Sequence, residues 1–429
     1  RSYRAVSLLV VLALAASLAG SAPVADPLVE ARLPMAFGEQ MQVAGDRIYI
    51  IGESRGGTRE IRAYGLPDGE PLWRSRIEGV GGDIGPQVVV DSVLLMGRYD
   101  EDISELIALD AATGAPLWRR TGWSMGQTRG PAPDASRILV SSGGPTPETA
   151  DRLEVVSSVD PRTGAEAWSY EVPAAALVNA VWDGSVSDTA RVTHLVTGLR
   201  SGVVEVRDAV TGTLVSSQDT GPPVADVVPG QPQNWLATVD DLLLVQEPDQ
   251  RSATVYGLPG LERRWGIELD SSAYVWYVGP YCGELLCLQG PDRGIMALDR
   301  ATGELRWSAT WTYLTPVGSS LLASRADGAL GGETPLWLVD PATGRARAGL
   351  GQWAIAGAGF GVGYGQGVDP LVIRQDLLTQ RTWFGVVDDV AGTVRLLGVV
   401  TGVVGECHAG ASSLICRRKD LSVGIWRYR

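Results

Sequence analysis

The chain has 429 residues and a formal net charge of −13, with 36 Lys and Arg against 49 Asp and Glu. This negative balance argues against a nucleic-acid partner and against adsorption to an anionic membrane surface. Gly is abundant at 54 residues and Trp at 14, against only 3 Phe. Many tight turns, each with one docking aromatic residue, would produce that bias.

The first 25 residues have the pattern of an export signal. Arg1 and Arg4 precede the apolar run Val6–Gly20, and small residues follow as far as Ala22. A basic start, an apolar middle and a small-residue exit are typical of such signals. No Cys follows, so this route provides no lipid anchor. We expect a cleaved signal peptide or a retained membrane anchor in residues 1–25, and a single exported domain in residues 26–429.

Short strands separated by turns follow one another from residue 47 onward. Arg47–Gly52 and Glu60–Tyr64 are the first two, with apolar residues at alternate positions in the second. The connecting stretches are rich in Pro and Gly, as at Arg129–Pro133, which is typical of surface loops. The pattern predicts an all-β protein. Later strands of the same kind are Ser92–Met96, Arg137–Val140, Asp241–Val245 and Ser320–Ala323.

One motif organises these strands. Ile107 to Trp118 predicts a strand, a tight turn and a returning strand. Asp110 is placed to accept hydrogen bonds from the N–H groups of the turn, as Asp does in Asx-turns. Gly114 supplies the positive φ that closes the hairpin. Trp118, four residues after that glycine, is placed to dock its ring on a neighbouring unit.

The motif recurs along the chain. Asp160, Gly164 and Trp168 form a second full copy, and Asp299, Gly303 and Trp307 form a third. Five further copies keep the turn, with or without the Trp: Tyr64–Gly69, Asp208–Gly212, Tyr256–Gly260, Asp340–Gly344 and Asp388–Gly392. Successive turns lie about 40 to 50 residues apart, and self-similarity at this period predicts a β-propeller.

The repeated pattern Ala-Leu-Asp-x-x-Thr-Gly-x-x-x-Trp resembles the repeat of the pyrroloquinoline quinone (PQQ)-like β-propellers. That family includes quinoprotein dehydrogenases and BamB-type outer-membrane assembly lipoproteins. The resemblance spans roughly residues 40–429 and implies a PQQ-like, all-β propeller, and the eight turns predict eight blades. A ninth blade remains an alternative, because Ser412–Cys416 and Ser422–Trp426 look like strands of a further unit that Leu28–Arg32 would close.

The four cysteines fall into two local pairs. Cys282 and Cys287 flank one predicted hairpin, and Cys407 and Cys416 flank another. An even number of cysteines in an exported chain favours two disulfides within those hairpins. A zinc site is not expected, because the chain has only 2 His and no ligand quartet with suitable spacing.

Catalytic patterns are weak. Gly52–Gly56 and Gly122–Gly126 match G-x-S-x-G, but that nucleophile elbow needs a following helix and a His base. The enzymes of the resembled family hold PQQ beside a disulfide between adjacent cysteines and bind Ca²⁺ through acidic and amide groups. This chain has no adjacent Cys pair, and its only Asn residues are Asn179 and Asn234. We therefore expect no catalytic, cofactor-binding or metal-binding residue.

Three other stretches have structural interpretations. The acidic residues of Asp100–Glu105 and the pair Asp240 and Asp241 are expected to be solvated loop charges rather than a Ca²⁺ site. Six glycines alternate from Gly357 to Gly367, but their spacing is not that of a dinucleotide-binding loop. Glycine on one face of a strand allows close backbone approach, as near a propeller axis.

The sequence thus predicts a non-catalytic, exported, monomeric propeller. Its face loops would bind a protein, a peptide or a cell-envelope component, and the BamB-type resemblance implies strand-addition contacts. Membrane contact is expected only through the N-terminal segment, so the protein would be secreted or anchored to the cytoplasmic membrane. Two alternatives remain: the extracytoplasmic sensor domain of a membrane signalling protein, and a PQQ-dependent oxidoreductase.

Overall fold

A computed structural model describes residues 29–79, 82–100, 103–130, 135–142, 154–173, 176–183, 190–199, 201–221, 236–246, 252–268, 277–290, 294–325, 333–356, 370–376, 378–410 and 413–427. Within these ranges the chain forms 35 strands and no helix. Accordingly, none of these residues belongs to a helix long and apolar enough to cross a membrane. The export-signal pattern in residues 1–25 and the alternating glycines of residues 357–367 lie outside the described residues.

The first four units of the chain are each built from four consecutive antiparallel strands. Units 1 and 2 comprise β2 (Gln40–Ala44), β3 (Arg47–Ile51), β4 (Thr58–Gly65), β5 (Glu70–Glu78), β6 (Asp83–Val90), β7 (Val93–Asp100), β8 (Ile103–Asp110) and β9 (Pro116–Thr121). Units 3 and 4 comprise β10 (Trp123–Arg129), β11 (Ser136–Ser141), β12 (Glu154–Val159), β13 (Glu166–Val172), β14 (Leu177–Trp182), β15 (Val192–Gly198), β16 (Val203–Asp208) and β17 (Leu214–Asp219).

Units 5 to 8 continue the same arrangement. Units 5 and 6 comprise β18 (Leu236–Val239), β19 (Leu242–Gln246), β20 (Ser252–Gly257), β21 (Glu262–Glu268), β22 (Tyr277–Cys282), β23 (Leu285–Gly290), β24 (Gly294–Asp299) and β25 (Leu305–Ala309). Units 7 and 8 comprise β26 (Tyr313–Val317), β27 (Ser320–Ser324), β28 (Thr334–Val339), β29 (Ala346–Ile355), β30 (Leu371–Asp376), β31 (Arg381–Asp388) and β32 (Thr393–Thr401).

Units 7 and 8 share one long strand. The first part of β29 pairs with β28 as the fourth strand of unit 7. Its last residues, Ala354 and Ile355, pair with β30 as the first strand of unit 8. The two units therefore appear as one sheet of seven strands.

A further four-stranded unit joins the two ends of the described chain. Its strands are β33 (Val403–Ala409), β34 (Ser413–Arg418), β35 (Val423–Arg427) and, from the N-terminal side, β1 (Val29–Leu33). Val29 pairs with Arg427 and Leu33 with Val423. The described strands thus form nine four-stranded units. The eight predicted turns mark units 1 to 8, and unit 9 is the closure that the sequence left as an alternative.

The units follow one another around a closed ring. Nine apolar clusters are each formed by two consecutive units; the cluster of Tyr49, Ile61, Leu94 and Ile107, for example, joins units 1 and 2. The same holds at every other junction of the series. The cluster that includes Leu33, Ile48 and Ile425 joins unit 9 back to unit 1. The fold is an all-β propeller.

The first strand of each unit lies towards the axis of this ring. Contacts between first strands of consecutive units, such as β2 with β6 and β14 with β18, show their proximity. The Asn179 amide donates to the Leu236 carbonyl at 3.2 Å, and the Thr238 hydroxyl donates to the Ala180 carbonyl at 2.9 Å. Fourth strands consequently lie at the outer rim, and within the described residues the second edge of the fourth strand is unpaired in every unit except unit 7.

Candidate functional site

The predicted Asp turn joins the third and fourth strands of its unit. Asp110 Oδ1 accepts hydrogen bonds from the N–H groups of Ala112 and Thr113, each at 3.0 Å. The Gly114 N–H donates to the Asp110 carbonyl at 2.7 Å, and Gly114 has a φ of +72°. A hydrogen bond from the Thr113 hydroxyl is the main cause that lowers the pKa of Asp110. The carboxylate therefore organises the turn and is not poised as an acid.

Asp160 and Asp299 repeat this geometry. Asp160 Oδ1 accepts from the N–H groups of Arg162 and Thr163, and Asp299 Oδ1 accepts from those of Ala301 and Thr302. A hydrogen bond from the Arg306 guanidinium lowers the pKa of Asp299 to about 2. These carboxylates stay ionised at any physiological pH and serve as local hydrogen-bond acceptors.

Each motif Trp docks on the turn of the following unit. The Trp118 ring lies against Gly164, and Trp168 lies against Gly212 in the same way. Every indole Nε1–H also donates to a carbonyl of that turn, at 2.8–3.0 Å. These contacts join consecutive units at their rims. The other pairs are Trp73 with Gly114, Trp265 with Gly303 and Trp307 with Gly344.

Three junctions replace this contact with a smaller one, and at the junction of units 7 and 8 the Ala348 methyl lies 3.2 Å from the position of an added Cβ at Gly392. At the end of unit 4 the position of the Trp is occupied by Ser216, whose hydroxyl donates to the Pro259 carbonyl. The turn of unit 5 carries Leu261 in place of glycine, with a φ of +61° and a fully buried side chain. At the end of unit 9, Leu33 lies against Gly69. Aliphatic side chains thus fill space that an indole fills elsewhere.

Both cysteine pairs are disulfides, and both join the first strand of a unit to its second strand. Cys282 of β22 bonds to Cys287 of β23, with Cα atoms 5.9 Å apart. Cys407 of β33 bonds to Cys416 of β34, with Cα atoms 4.1 Å apart. Both cross-links are therefore on the inner side of their units.

The remaining residues with catalytic potential are dispersed. Ser124 of the Gly122–Gly126 motif lies within β10, where its N–H donates to Gln87 Oε1 at 3.3 Å. His194 Nδ1 is 3.1 Å from the Thr193 hydroxyl oxygen, and burial lowers the pKa of His194. Burial also lowers the pKa of His408. No group of three or more His, Cys, Asp or Glu residues in the described ranges is arranged to hold a metal ion.

Unit 8 carries the clearest exposed apolar surface of the described chain. Ten large apolar side chains are exposed in the described residues, and five of them lie between residues 378 and 404. Leu396 and Val399 lie on β32 itself. Leu378 and Val390, exposed at 96 % and 87 %, lie in turns on either side of β31, and Val404 is the second residue of β33. The Gly402 N–H donates to the Gln380 carbonyl at 3.2 Å, which holds the turn of Leu378 beside the end of β32.

The outer edge of β32 lacks the usual protection of an edge strand. Prolines and charged side chains normally prevent such an edge from pairing with another chain. The outer strand β5 carries Pro71, Arg74 and Arg76, and β21 carries four charged residues in seven. In contrast, β32 is nine residues long and Arg395 is its only charged residue. Its unpaired edge and apolar side chains form the candidate site, here called the β32 edge.

Residues 57–215 match the protein family described as outer membrane protein assembly factor BamB. The chain carries PQQ-like repeats. The match runs from the third strand of unit 1 to the fourth strand of unit 4, and so contains the motifs of Asp110 and Asp160. The resemblance on which the sequence analysis relied is confirmed over these residues. No protein of curated function matches the sequence.

Three solved structures are similar to this chain at low identity. BamB from Moraxella catarrhalis is 16% identical, with 95% of this chain and 98% of that chain covered and a TM-score of 0.40. The computationally designed Ika8 protein is 15% identical, with coverages of 81% and 98% and a TM-score of 0.43. The Cps50 (Swd1) β-propeller domain of Myceliophteria thermophila is 14% identical, with coverages of 70% and 95% and a TM-score of 0.35. These likenesses carry no argument about function.

Sequence reasoning located the PQQ-like repeats but missed the β32 edge. The relevant signal was present, because residues 393–401 contain one charge and no Pro, unlike the strand that follows Gly69. This signal is weak because a leucine in place of the motif Trp does not by itself reveal whether the position is exposed. Leu396 stands at that position and is exposed.

Proposed function

We propose that this protein is an exported, non-catalytic scaffold that binds a protein partner along the β32 edge. The observation that carries the proposal is the unprotected outer edge of β32, with exposed apolar side chains along it and at both of its ends. A strand edge of this kind offers a row of backbone N–H and C=O groups to an extended segment. Five of the ten exposed large apolar side chains of the described residues lie in this part of the chain, and grouped exposed apolar side chains typically mark an interaction site.

The family match also supports the proposal of an exported binding scaffold. Its description names an outer membrane assembly factor, so relatives of this repeat act in the cell envelope as assembly components. In this proposal residues 1–25 direct export, whether as a cleaved signal peptide or as an anchor, and the ring acts outside the cytoplasm as a monomer. Sequencing the N-terminus of the mature protein tests the export step, because cleavage would remove Val6–Gly20 and retention would leave the protein in the membrane fraction.

A pair of matched variants tests the binding edge. A photo-crosslinking amino acid at Val399 is expected to capture a partner in the source cell, whereas the same amino acid at Leu72 of β5 is not. Leu72 is also an exposed apolar residue of an outer strand, but its strand carries Pro71 and two arginines. Leu396→Lys with Val399→Lys should reduce the capture at least tenfold, because two charges disfavour strand pairing. Equal capture at Leu72 and Val399 would refute the β32 edge as the site.

The absence of catalysis has its own test. Purified protein incubated with PQQ and Ca²⁺ and passed through gel filtration is expected to retain no cofactor absorbance. Alcohol and sugar oxidation should be at background in the same fractions. Stoichiometric retention with dye reduction would replace the scaffold proposal with an oxidoreductase.

A further inference from the structure

The seam between β35 and β1 differs from the other seams between third and fourth strands in the described units. In units 1 to 8 a short turn joins those two strands covalently. In unit 9 the two strands come from opposite ends of the described chain and pair at five positions, from Val29 with Arg427 to Leu33 with Val423. Residues 29–33 therefore occupy the edge of β35 as a bound segment would, joined to β35 only by non-covalent contacts while the chain continues from Leu33 into unit 1.

A partly buried cation at this seam selects a carboxylate. Only 13 % of the Arg418 side chain is exposed, and its Nη1 donates to Glu30 Oε1 at 2.6 Å. Its guanidinium also lies 5.7 Å from the centre of the Trp426 ring, and its Nε is 4.0 Å from Asp420. A guanidinium so far from water is costly to leave without a close carboxylate. The second position of the bound segment is therefore specified as acidic.

An apolar site holds Leu33, three residues after Glu30 in the same segment. The Leu33 side chain is 2 % exposed and packs in one cluster with Ile48, Val423 and Ile425. Its Cδ2 lies 2.9 Å from the position that a Cβ would take at Gly69, and the Ala31 methyl lies 3.5 Å from the same point. The site thus accepts a small residue and then a leucine at alternate positions on one side of the segment. Charge and shape together define an extended pattern of Glu, Ala, any residue and Leu.

We infer that the edge of β35 is a peptide-binding site that residues 29–33 fill reversibly. An extended segment of another protein chain with a carboxylate and, three residues later, a leucine takes their place by pairing with β35. Because no hairpin turn ties β1 to β35, this segment can leave the edge while the rest of the ring stays folded, and such local opening costs less than global unfolding. Strand addition to a sheet edge then supplies main-chain hydrogen bonds, while Arg418 and the Leu33 site supply specificity. This inference rests on the closing seam and is independent of the β32 edge.

The test uses the full chain and a fluorescent peptide with the sequence of residues 26–36. The variant Leu33→Asp expels its own closing strand, and we expect it to bind the peptide at least tenfold more tightly than the wild type does. Glu30→Arg is a second variant that repels Arg418 without changing the apolar site, and the same gain is expected. A peptide carrying the Leu33→Asp change serves as the matched negative control. Circular dichroism identifies which variant is folded.

A locked variant gives the opposite prediction. Val29→Cys with Arg427→Cys joins two register partners at the end of the seam, and its oxidised form should bind no peptide. In the wild type, amide hydrogens of β35 that pair with β1 should exchange at least tenfold faster than those of β8 that pair with β9. If Leu33→Asp and Glu30→Arg are folded but do not bind the peptide, the inference is overturned. Equal peptide binding by the oxidised double-cysteine variant and by Leu33→Asp would also overturn it. So would equal rates of amide hydrogen exchange at the β35–β1 and β8–β9 seams.

Discussion

The indole of Trp118 lies against the backbone of Gly164, with its Cγ 2.9 Å from the point where a side-chain carbon would stand. That glycine also has a φ of +68°, so it is required for two separate reasons. The positive φ closes the turn, and the missing side chain admits the ring from the preceding unit. One residue therefore couples the shape of a turn to the junction between two units.

A pair of glycine substitutions separates these two requirements. Gly45 has a φ of +59° in a turn of unit 1, with no atom within 4 Å of an added Cβ. Gly45→Ala should cost about 1–2 kcal/mol for its left-handed backbone alone. Gly164→Ala should cost about 1–3 kcal/mol more, because the methyl overlaps the Trp118 ring. Chemical denaturation of both variants measures the difference, and equal losses would show that the docked ring imposes no steric demand.

Ser216 and Leu261 present the converse arrangement and make a double-mutant cycle informative. The Leu261 side chain projects from the position of the turn glycine, so it occupies the space of the indole and leaves room only for the small Ser216. Ser216→Trp should destabilise the fold by about 1–3 kcal/mol through overpacking. With Leu261→Gly in the same chain the cost should largely disappear, giving a coupling of about 1–3 kcal/mol. Strict additivity of the two changes in unfolding experiments would contradict this interpretation.

The two disulfides should contribute similarly to stability. They close loops with sequence separations of 5 and 9 residues. Loop-closure entropy for such lengths predicts a loss of about 2–3 kcal/mol when either pair is replaced by serines. Thermal unfolding of the Cys282→Ser with Cys287→Ser variant and of the Cys407→Ser with Cys416→Ser variant measures this. The wild type with reductant should resemble the variant that lacks both pairs, and an unchanged midpoint in reductant would count against the prediction.

Stability should fall as the pH is lowered from 7 to 5. Burial lowers the pKa of both His408 and His194 below the ordinary value of 6.5. In that pH range the unfolded chain therefore binds protons that the folded chain does not, so the free energy of unfolding rises with pH. Each histidine contributes at most about 1.4 kcal/mol per pH unit.

Two variants test whether these two histidines cause the dependence of the unfolding free energy on pH. His408→Asn should reduce the slope of unfolding free energy against pH, and His408→Asn with His194→Asn should remove it between pH 5 and 7. The carboxylates with lowered pKa, such as Asp299 at about 2, titrate well below this window. A slope that persists in the double variant would mean that other groups control the pH response.

The repeat could be predicted from the sequence because its physics is local. Asp110, Gly114 and Trp118 lie within nine residues, and each has a residue type suited to one task in a turn or a junction. The propeller class followed from the regular recurrence of that motif. Copies that lack the Trp were also recognisable, because the Asp and Gly alone specify the turn.

The closure and the β32 edge depend on information that no local pattern contains. Eight turns were counted, but unit 9 has no such turn, since its third and fourth strands come from distant parts of the chain. The sequence signals for it were two strands near residue 420 and the stretch Leu28–Arg32 that would close them, and these left a ninth unit only as an alternative. Likewise, exposure of Leu396 depends on the geometry of the next unit, because the same position is half-buried or buried wherever a Trp meets a turn glycine.

The pairing of Val29 with Arg427 has a consequence for the order of events during synthesis. These partners lie about 400 residues apart, and at roughly 5–20 residues per second the ribosome needs about 20–80 s to reach the second after making the first. During that interval the earliest strand of the ring has no partner, while eight units form behind it. The nascent chain must therefore keep Ala31 and Leu33 from premature pairing until β35 has been made, so the first strand of the ring to be synthesised is the last to find its partner.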